Sequence, residues 1–332
     1  MDLEYAGTEK ENEEMTPFDI FQILVFPGMV LLFILAFFYE WVDRKFFARL
    51  QNRYGPLYTG PWGLFQPVAD FVKLLSKEDI VPAACEKILF SFTPVIYLAL
   101  PLTALFITPI SSSTSLVSFE GDLVFMMFIF TLMVITVFLA GWSSTNQFGI
   151  VGGVRAALQM LSYEIPLCLA MIGPALAAQS LSISKITQWQ SSNVYWTILL
   201  QPIGFGVIVV GMLAELEFVP FDIPEADTEI VAGWRTEFSG RKLALFRLGR
   251  DLELVLASSV IAALYLGGAQ QLWFIPAVAT FILKTVLVVL LLSFLRSVFA
   301  RFRIDQMSAG MWKYLLPLAI LQIVLIQFGV GR

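Results

Sequence analysis

Eight predominantly apolar runs, each long enough to cross a membrane as a helix, decide what this chain can fold into: residues 18–42, 88–110, 122–142, 158–179, 195–214, 252–269, 272–295 and 311–330. A hydrocarbon core about 30 Å thick takes roughly 20 helical residues. No water reaches that layer, so every backbone N–H and C=O must be satisfied internally, which leaves helices or a closed barrel. A barrel would show short alternating segments with a polar interior face, and these runs do not alternate. Over 332 residues, 58% are hydrophobic and 14% charged, against about 25% charged in soluble domains. The expected fold is an all-α integral membrane protein, one domain over 1–332, with eight transmembrane helices and large first and fifth connections.

The fifth connection, Glu215 to Asp251, contains Ala214-Glu215-Leu216-Glu217-Phe218-Val219-Pro220-Phe221-Asp222-Ile223-Pro224-Glu225-Ala226-Asp227-Thr228-Glu229. A solvated loop needs no Phe221 or Ile223 between its charges. A segment folded against protein at membrane depth does, because irregular backbone there must be buried or line a cavity. Carboxylates this dense beside hydrocarbon point to proton or ion handling by Glu215, Glu217, Asp222, Glu225, Asp227 and Glu229. Glu215 and Glu217 fall on opposite faces of a helix end, so at most one points inward if the helix persists.

Sixteen of the 21 basic residues lie in the odd-numbered connections or at their edges. The first connection, 43–87, holds Arg44, Lys45, Arg49, Arg53, Lys73, Lys77 and Lys87. The third holds Arg155, the fifth Arg235, Arg241, Lys242, Arg247 and Arg250, and the seventh Arg296, Arg301 and Arg303. The positive-inside rule puts the odd connections in the cytoplasm and both termini outside the cell membrane. The acidic stretch 1–17 lacks a basic n-region, so it reads as a solvated external tail rather than a signal peptide.

The chain has no His, and its two cysteines, Cys85 and Cys168, stand 83 positions apart. No metal, haem or iron–sulfur centre is therefore expected on this chain alone. Gly149, Gly152 and Gly153 are not followed by a Lys-Ser/Thr pair, so no nucleotide-binding loop is present. The absence of a clear internal repeat disfavours the inverted-repeat carriers. No nucleic-acid partner is expected.

After Gly55-Pro56 and Gly60-Pro61, the apolar residues Leu64, Phe65, Val68, Phe71, Val72 and Leu75 recur with helical period, with Gln66, Asp70, Lys73 and Lys77 on the other face. This spacing predicts an interfacial amphipathic helix. Two roles stay open for it: lying on lipid, or walling an entrance on the cytoplasmic side. Within the spans, Glu164 and Lys284 each need a partner or a water path, because a charge at the membrane centre costs about 2.5–3.5 kcal/mol on insertion scales. Pro166 frees a carbonyl near Glu164.

Several long motifs resemble the heel-subunit family of complex I, its H-type membrane subunit. They are Ala48-Arg49-Leu50-Gln51-Asn52-Arg53-Tyr54-Gly55-Pro56, Gly63-Leu64-Phe65-Gln66-Pro67 through Lys77-Glu78, and Gly141-Trp142-Ser143-Ser144. Arg155 through Glu164, Pro220-Phe221-Asp222 through Glu229, Glu237-Phe238-Ser239-Gly240 and Arg301-Phe302-Arg303-Ile304-Asp305 follow in the same order. The resemblance implies an eight-helix heel subunit without a redox centre, which links an electron-transfer arm to an ion-pumping membrane arm. In quinone-reducing members the first and fifth loops shape a quinone chamber. The acidic residues that relay the redox event would be Glu164, Glu215, Asp222, Glu225, Asp227 and Glu229. Arg44, Arg49, Arg53, Gln66, Asp70, Lys73, Arg155, Glu237, Arg301, Arg303 and Asp305 fall in the loop motifs expected to dock partners.

Three departures stand out. Phe218 occupies the place of an Arg in the quinone-reducing pattern, Arg250-Asp251 replaces a Glu-Tyr, and Leu57 replaces an Asn after Gly55-Pro56. These variants are similar to the corresponding subunit of archaeal membrane-bound nickel–iron hydrogenases and of the related sulfane-sulfur reductase. The leading expectation is such a heel subunit. Its cytoplasmic partners would be hydrophilic subunits carrying iron–sulfur clusters and, in hydrogenases, a nickel–iron centre. Antiporter-like and small membrane subunits, and lipid, would surround it in the membrane. The rival readings are a quinone-reducing complex I subunit, a free-standing ion or solute carrier, and a pure scaffold.

Overall fold

The computed structural model describes residues 17–193, 195–271 and 275–331, with only the backbone of 17–20 and 227. The described residues are all-helical: α1 (Pro17–Leu24), α2 (Met29–Leu50), α3 (Gln66–Ser76), α4 (Lys87–Ile107), α5 (Asp122–Ser143), α6 (Gln147–Ala178), α7 (Ile183–Ser192), α8 (Thr197–Leu200), α9 (Pro202–Glu215), α10 (Asp227–Ile230), α11 (Gly240–Tyr265), α12 (Ala277–Val298), α13 (Ile304–Gly310) and α14 (Leu316–Gln327). Among them, six helical stretches are long and apolar enough to cross a membrane: Phe21–Leu50, α4, α5, α6, α12 and Ile304–Gln327. Residues 1–16, most of the expected acidic tail, lie outside the described residues.

The eight expected segments are present with moved boundaries. Residues 18–42 are divided into α1 and α2 around Phe26-Pro27, and α2 runs on to Leu50, so Asp43, Arg44 and Arg49 are helical rather than in a loop. The fourth span starts at Gln147, eleven residues before the expected 158, where Asn146 caps it by accepting from Phe148 N. The fifth, expected over 195–214, shortens to α9, fourteen residues that begin at Pro202. The sixth starts at Gly240, not 252, so Lys242, Arg247, Arg250 and Asp251 belong to α11 and the fifth connection closes to 216–239. Polar residues were excluded from that span by hydropathy. In the folded chain they are helical because they face protein and a cavity instead of lipid.

The helix α11 is the axis of the bundle. Its residues from Asp251 to Tyr265 are all buried, the pattern of a helix surrounded by protein. It packs against α4, α2, α12 and α3, while α6 packs against α5, α9 and α14. Gly152 lets the fifth connection close on α6: a Cβ there would meet Trp234 N at 2.5 Å. The connection is also tied to the segment after α12, with Phe302 N donating to Pro220 O at 3.0 Å. Ile80 N of the first connection donates to Ser239 Oγ of the fifth at 3.1 Å, and Lys242 of α11 reaches Asp79 beside it at 2.6 Å. The first, fifth and seventh connections are thus drawn together at one end of the bundle.

Candidate functional site

At that end a cavity of about 660 Å³ opens between α2, α3, α11, the end of α12 and the fifth connection. Six carboxylates line it, Glu40, Asp43, Glu217, Asp222, Glu225 and Asp251, with five guanidinium groups, Arg44, Arg235, Arg247, Arg250 and Arg296. The sequence reading identified Glu217, Asp222, Glu225 and Arg44 as site residues. It did not identify Glu40 or Asp43 as site residues, used Arg235, Arg247, Arg250 and Arg296 for orientation alone, and noted Arg250-Asp251 otherwise as a departure from a pattern. Asp43 and Arg296 could not be paired from sequence, since they lie 253 positions apart and meet at 2.9 Å only because α2 packs on α12.

The amphipathic helix α3 contributes Leu74 to one wall. Gln66 and Asp70, on the expected polar face, turn towards the bundle: Asp70 Oδ2 accepts from Arg44 Nη1 at 2.8 Å and Arg247 Nη2 at 3.3 Å, and Gln66 Nε2 donates to Asp70 Oδ1 at 2.8 Å. Phe65, Val72 and Leu75 remain exposed, where lipid would meet them. Phe71 of the same helix packs on Phe37 of α2, ring centroids 5.8 Å apart, and Asp70 beside it satisfies guanidinium groups that would be costly to bury alone.

Glu225 receives two arginines, Arg250 at 2.6 Å and Arg235 in a shorter contact. Burial pushes the Glu225 carboxyl up, but these two cations outweigh it and hold it below the ordinary carboxylate range. Phe218, which stands where the family pattern has Arg, lies between cations: Arg296 is 4.5 Å and Arg250 5.9 Å from its ring. The cavity therefore keeps fixed positive charge beside the position that lost it, supplied by other helices.

The backbone breaks at the residue that matters most. The helix α9 ends at Glu215, and Glu217 takes a left-handed conformation, φ +50°. The helix does not persist, so the expectation that only one of the two glutamates could point inward does not apply. Glu217 faces the cavity, while Glu215 is buried and accepts from Tyr163 Oη at 2.5 Å. Burial, with repulsion from Glu225 opposed by Arg250, pushes the Glu217 carboxyl up to about 8.

Beneath Glu215 lies a small crevice of about 10 Å³, lined by Thr131, Tyr163, Glu164 and Cys168 as well as Glu215. It has room for about one water molecule. Glu164 accepts a short hydrogen bond from Thr131 Oγ1 of α5. Glu215 Oε1 is buried without a hydrogen-bond partner among the described residues. A second buried pair, Tyr97 Oη donating to Glu253 Oε2 at 2.6 Å, lies across α4 and α11. Sequence reading passed over Glu253, whose only signal was a carboxylate at the start of an apolar run.

Other expected site residues lie elsewhere. Glu229 pairs with Arg155 at 2.6 Å and Arg301 at 3.5 Å on the surface, and these contacts hold its carboxyl below the ordinary range. Glu237 binds Asn146 Nδ2. Arg49, Arg53, Lys73, Arg303 and Asp305 are exposed and outside the cavity wall. The side chain of Asp227 lies outside the described residues. Lys284 is remote: it sits twelve residues from Arg296 on α12, about 18 Å along the helix axis. Its Nζ donates to Gly268 O at 2.9 Å and lies 4.6 Å from the Trp196 ring. Among the described residues, no group of three or more acids or cysteines is arranged to hold a metal ion.

Comparison with known proteins places this architecture. The NADH dehydrogenase family model matches residues 21–327. An H-type NADH-quinone oxidoreductase subunit of Syntrophobacter fumaroxidans is 38% identical over 305 residues, covering 89% of this chain and 91% of that protein. The H-type subunit of Dehalococcoides mccartyi is 36% identical, over 94% of this chain and 86% of that protein, and that of Bacillus thuringiensis is 40% identical, over 90% and 91%. A match across the whole bundle, including both connections that build the cavity, means that this chain belongs to the H-type family of NADH-quinone oxidoreductase subunits, a membrane component of complex I.

Proposed function

We propose that this chain is the heel subunit of a complex-I-like respiratory assembly and couples electron transfer in a peripheral arm to ion movement in the membrane. The observation that carries this reading is the series of carboxylates leading inward from the cavity: Glu217 on its wall, Glu215 two residues earlier inside the bundle, and Glu164 across the one-water crevice. A charge change at the cavity, made by chemistry in the docked arm, shifts protonation of Glu217. Its carboxyl, near 8, exchanges protons at physiological pH. Glu215 and Glu164 then pass the proton or the field change into the membrane. The basic connections face the cytoplasm in this reading, where Arg49, Arg53, Lys73, Arg303 and Asp305 are free to meet the hydrophilic iron–sulfur subunits. Lys284 supplies a buried charge at the far end.

Two electron acceptors fit such a heel. Reduction of protons or polysulfide by ferredoxin-derived electrons, with Na+ or H+ export, leaves the chamber only a relay role and is favoured by the apolar Phe218 at its wall. Reduction of a quinone is favoured by the relatives' printed names and by a volume within the roughly 300–1,000 Å³ of small-molecule sites. Reduced-ferredoxin oxidation by the purified complex, with protons, polysulfide and a short-chain quinone as rival acceptors, separates them. The coupling reading is tested in proteoliposomes holding the intact complex. Glu217→Gln, Glu215→Gln and Glu164→Gln should lower the ions moved per electron, and an unchanged ratio in assembled variants sinks the reading.

A further inference from the structure

Three helices bring oxygen atoms together around the crevice of about 10 Å³ beneath Glu215. Thr131 comes from α5, Tyr163 and Glu164 from α6, and Glu215 from the end of α9. Each carboxylate is held by one hydroxyl, Glu215 by Tyr163 Oη and Glu164 by Thr131 Oγ1. Among the described residues, neither carboxylate meets a Lys or Arg. Glu215 is 4% exposed, and its Oε1 has no partner among the described residues. The rest of the wall is mostly apolar, with Met127, Phe130, Leu167 and Met171 among its side chains.

Two carboxylates around one small space, with no cationic side chain beside them, leave negative charge uncompensated in apolar surroundings. A water in the crevice would satisfy Glu215 Oε1 but bring no charge. An alkali cation stripped of its water is no larger than that water, and it offsets the charge. We propose that Glu215, Glu164, Thr131 and Tyr163 form a binding site for one unhydrated alkali cation. Carboxylate and hydroxyl oxygens suit a hard cation, and each hydroxyl keeps lone pairs free after donating its proton. Cys168 also lines the space, but a thiol is a soft ligand and adds little. Mg2+ and Ca2+ take about six or more oxygens, more than these four residues offer with one oxygen of each carboxylate already bonded to a hydroxyl. In the coupling reading of these carboxylates, on which this inference rests for its purpose, the bound cation is the ion that moves.

Equilibrium binding of radiolabelled Na+ to the intact, detergent-purified complex, with choline chloride holding the ionic strength constant, tests the site. The wild type should bind one more Na+ per complex than Glu215→Gln. Thr131→Val, which keeps both carboxylates and nearly the same volume but removes one ligand oxygen, should weaken that ion's binding about tenfold or more. If Glu215→Gln does not assemble, Thr131→Val carries the test. Equal stoichiometry and affinity in the wild type and the assembled variants overturn the proposal and leave the crevice to water. Should Na+ binding stay unchanged in Glu215→Gln while the ions moved per electron fall, this inference falls and the coupling reading stands. If Glu215→Gln loses the bound Na+ but moves as many ions per electron, the site stands and the coupling reading falls.

Discussion

Asp70 of α3 and Arg247 of α11, 177 positions apart, meet at 3.3 Å, and the same Asp70 oxygen accepts from Arg44 of α2 at 2.8 Å. One carboxylate thus clasps the amphipathic helix to two helices of the bundle and holds the cavity wall in place. Asp70→Ala leaves both guanidinium groups short of a partner. A loss of about 1–3 kcal/mol is expected from removing one side of such bonds, confined to α3. Hydrogen exchange should read it as faster exchange of amides 66–76 with the rest of the bundle unchanged. Equal protection in variant and wild type would show that α3 is held by its apolar contacts alone.

Arg250 ties α11 to the fifth connection through Glu225 and Leu216 O. Arg250→Met should destabilise by about 1–3 kcal/mol, because Glu225 keeps Arg235 and is not left wholly uncompensated. Adding Glu225→Gln should recover part of the loss, since the remaining partner is then neutral. Thermal midpoints of the detergent-solubilised complex measure both. A double variant less stable than the sum of the single ones would contradict the pairing.

A methyl group at Gly152 would collide with the backbone of the fifth connection, 2.5 Å from Trp234 N. Backbone cannot move aside as a flexible side chain can, so Gly152→Ala should cost about 1–3 kcal/mol by overpacking. The connection would be displaced from α6, with lower yield of assembled complex. Gly206→Ala, where a Cβ meets nothing within 4 Å, should assemble normally and serves as the control.

Glu217 has a pH signature with a definite sign. Its carboxyl is raised in the folded chain from the ordinary 4.5 to about 8. The folded state therefore binds this proton more tightly than the unfolded one, and the contribution is present below pH 4.5 and lost as pH rises through about 8. Stability should decline across that window, and Glu217→Gln should flatten the decline. Glu225 acts oppositely: its lowered carboxyl stabilises above the ordinary range, and that contribution is lost on acidification. Thermal midpoints recorded from about pH 5 to about pH 9 span the Glu217 titration. Parallel curves for variant and wild type would refute the Glu217 assignment.

The membrane class, the existence of eight apolar segments and the density of carboxylates in the fifth connection were all legible in the sequence. Each is a local or compositional property: hydrocarbon selects apolar runs of fixed length whatever the fold, and charges beside such runs are conspicuous. Helix ends were less legible. Hydropathy excludes charged residues from a span, so the first twelve residues of α11 were assigned to a loop, although in the bundle Arg247, Arg250 and Asp251 face the cavity and never meet lipid.

Glu215, Glu217 and Glu164 were identifiable as carboxylates in the wrong solvent, but their different tasks depend on a backbone break after Glu215 that no periodicity announces. The rest belongs to tertiary structure alone. That Arg250 and Arg296 flank Phe218, that Asp70 of α3 meets Arg44 and Arg247, and that Tyr97 finds Glu253 across 156 positions are consequences of which helices pack together. Sequence determined the solvent and the stock of charges; packing decided which charges meet, because the cost of a buried ionic group is set by its partners in space and not by its neighbours in the chain.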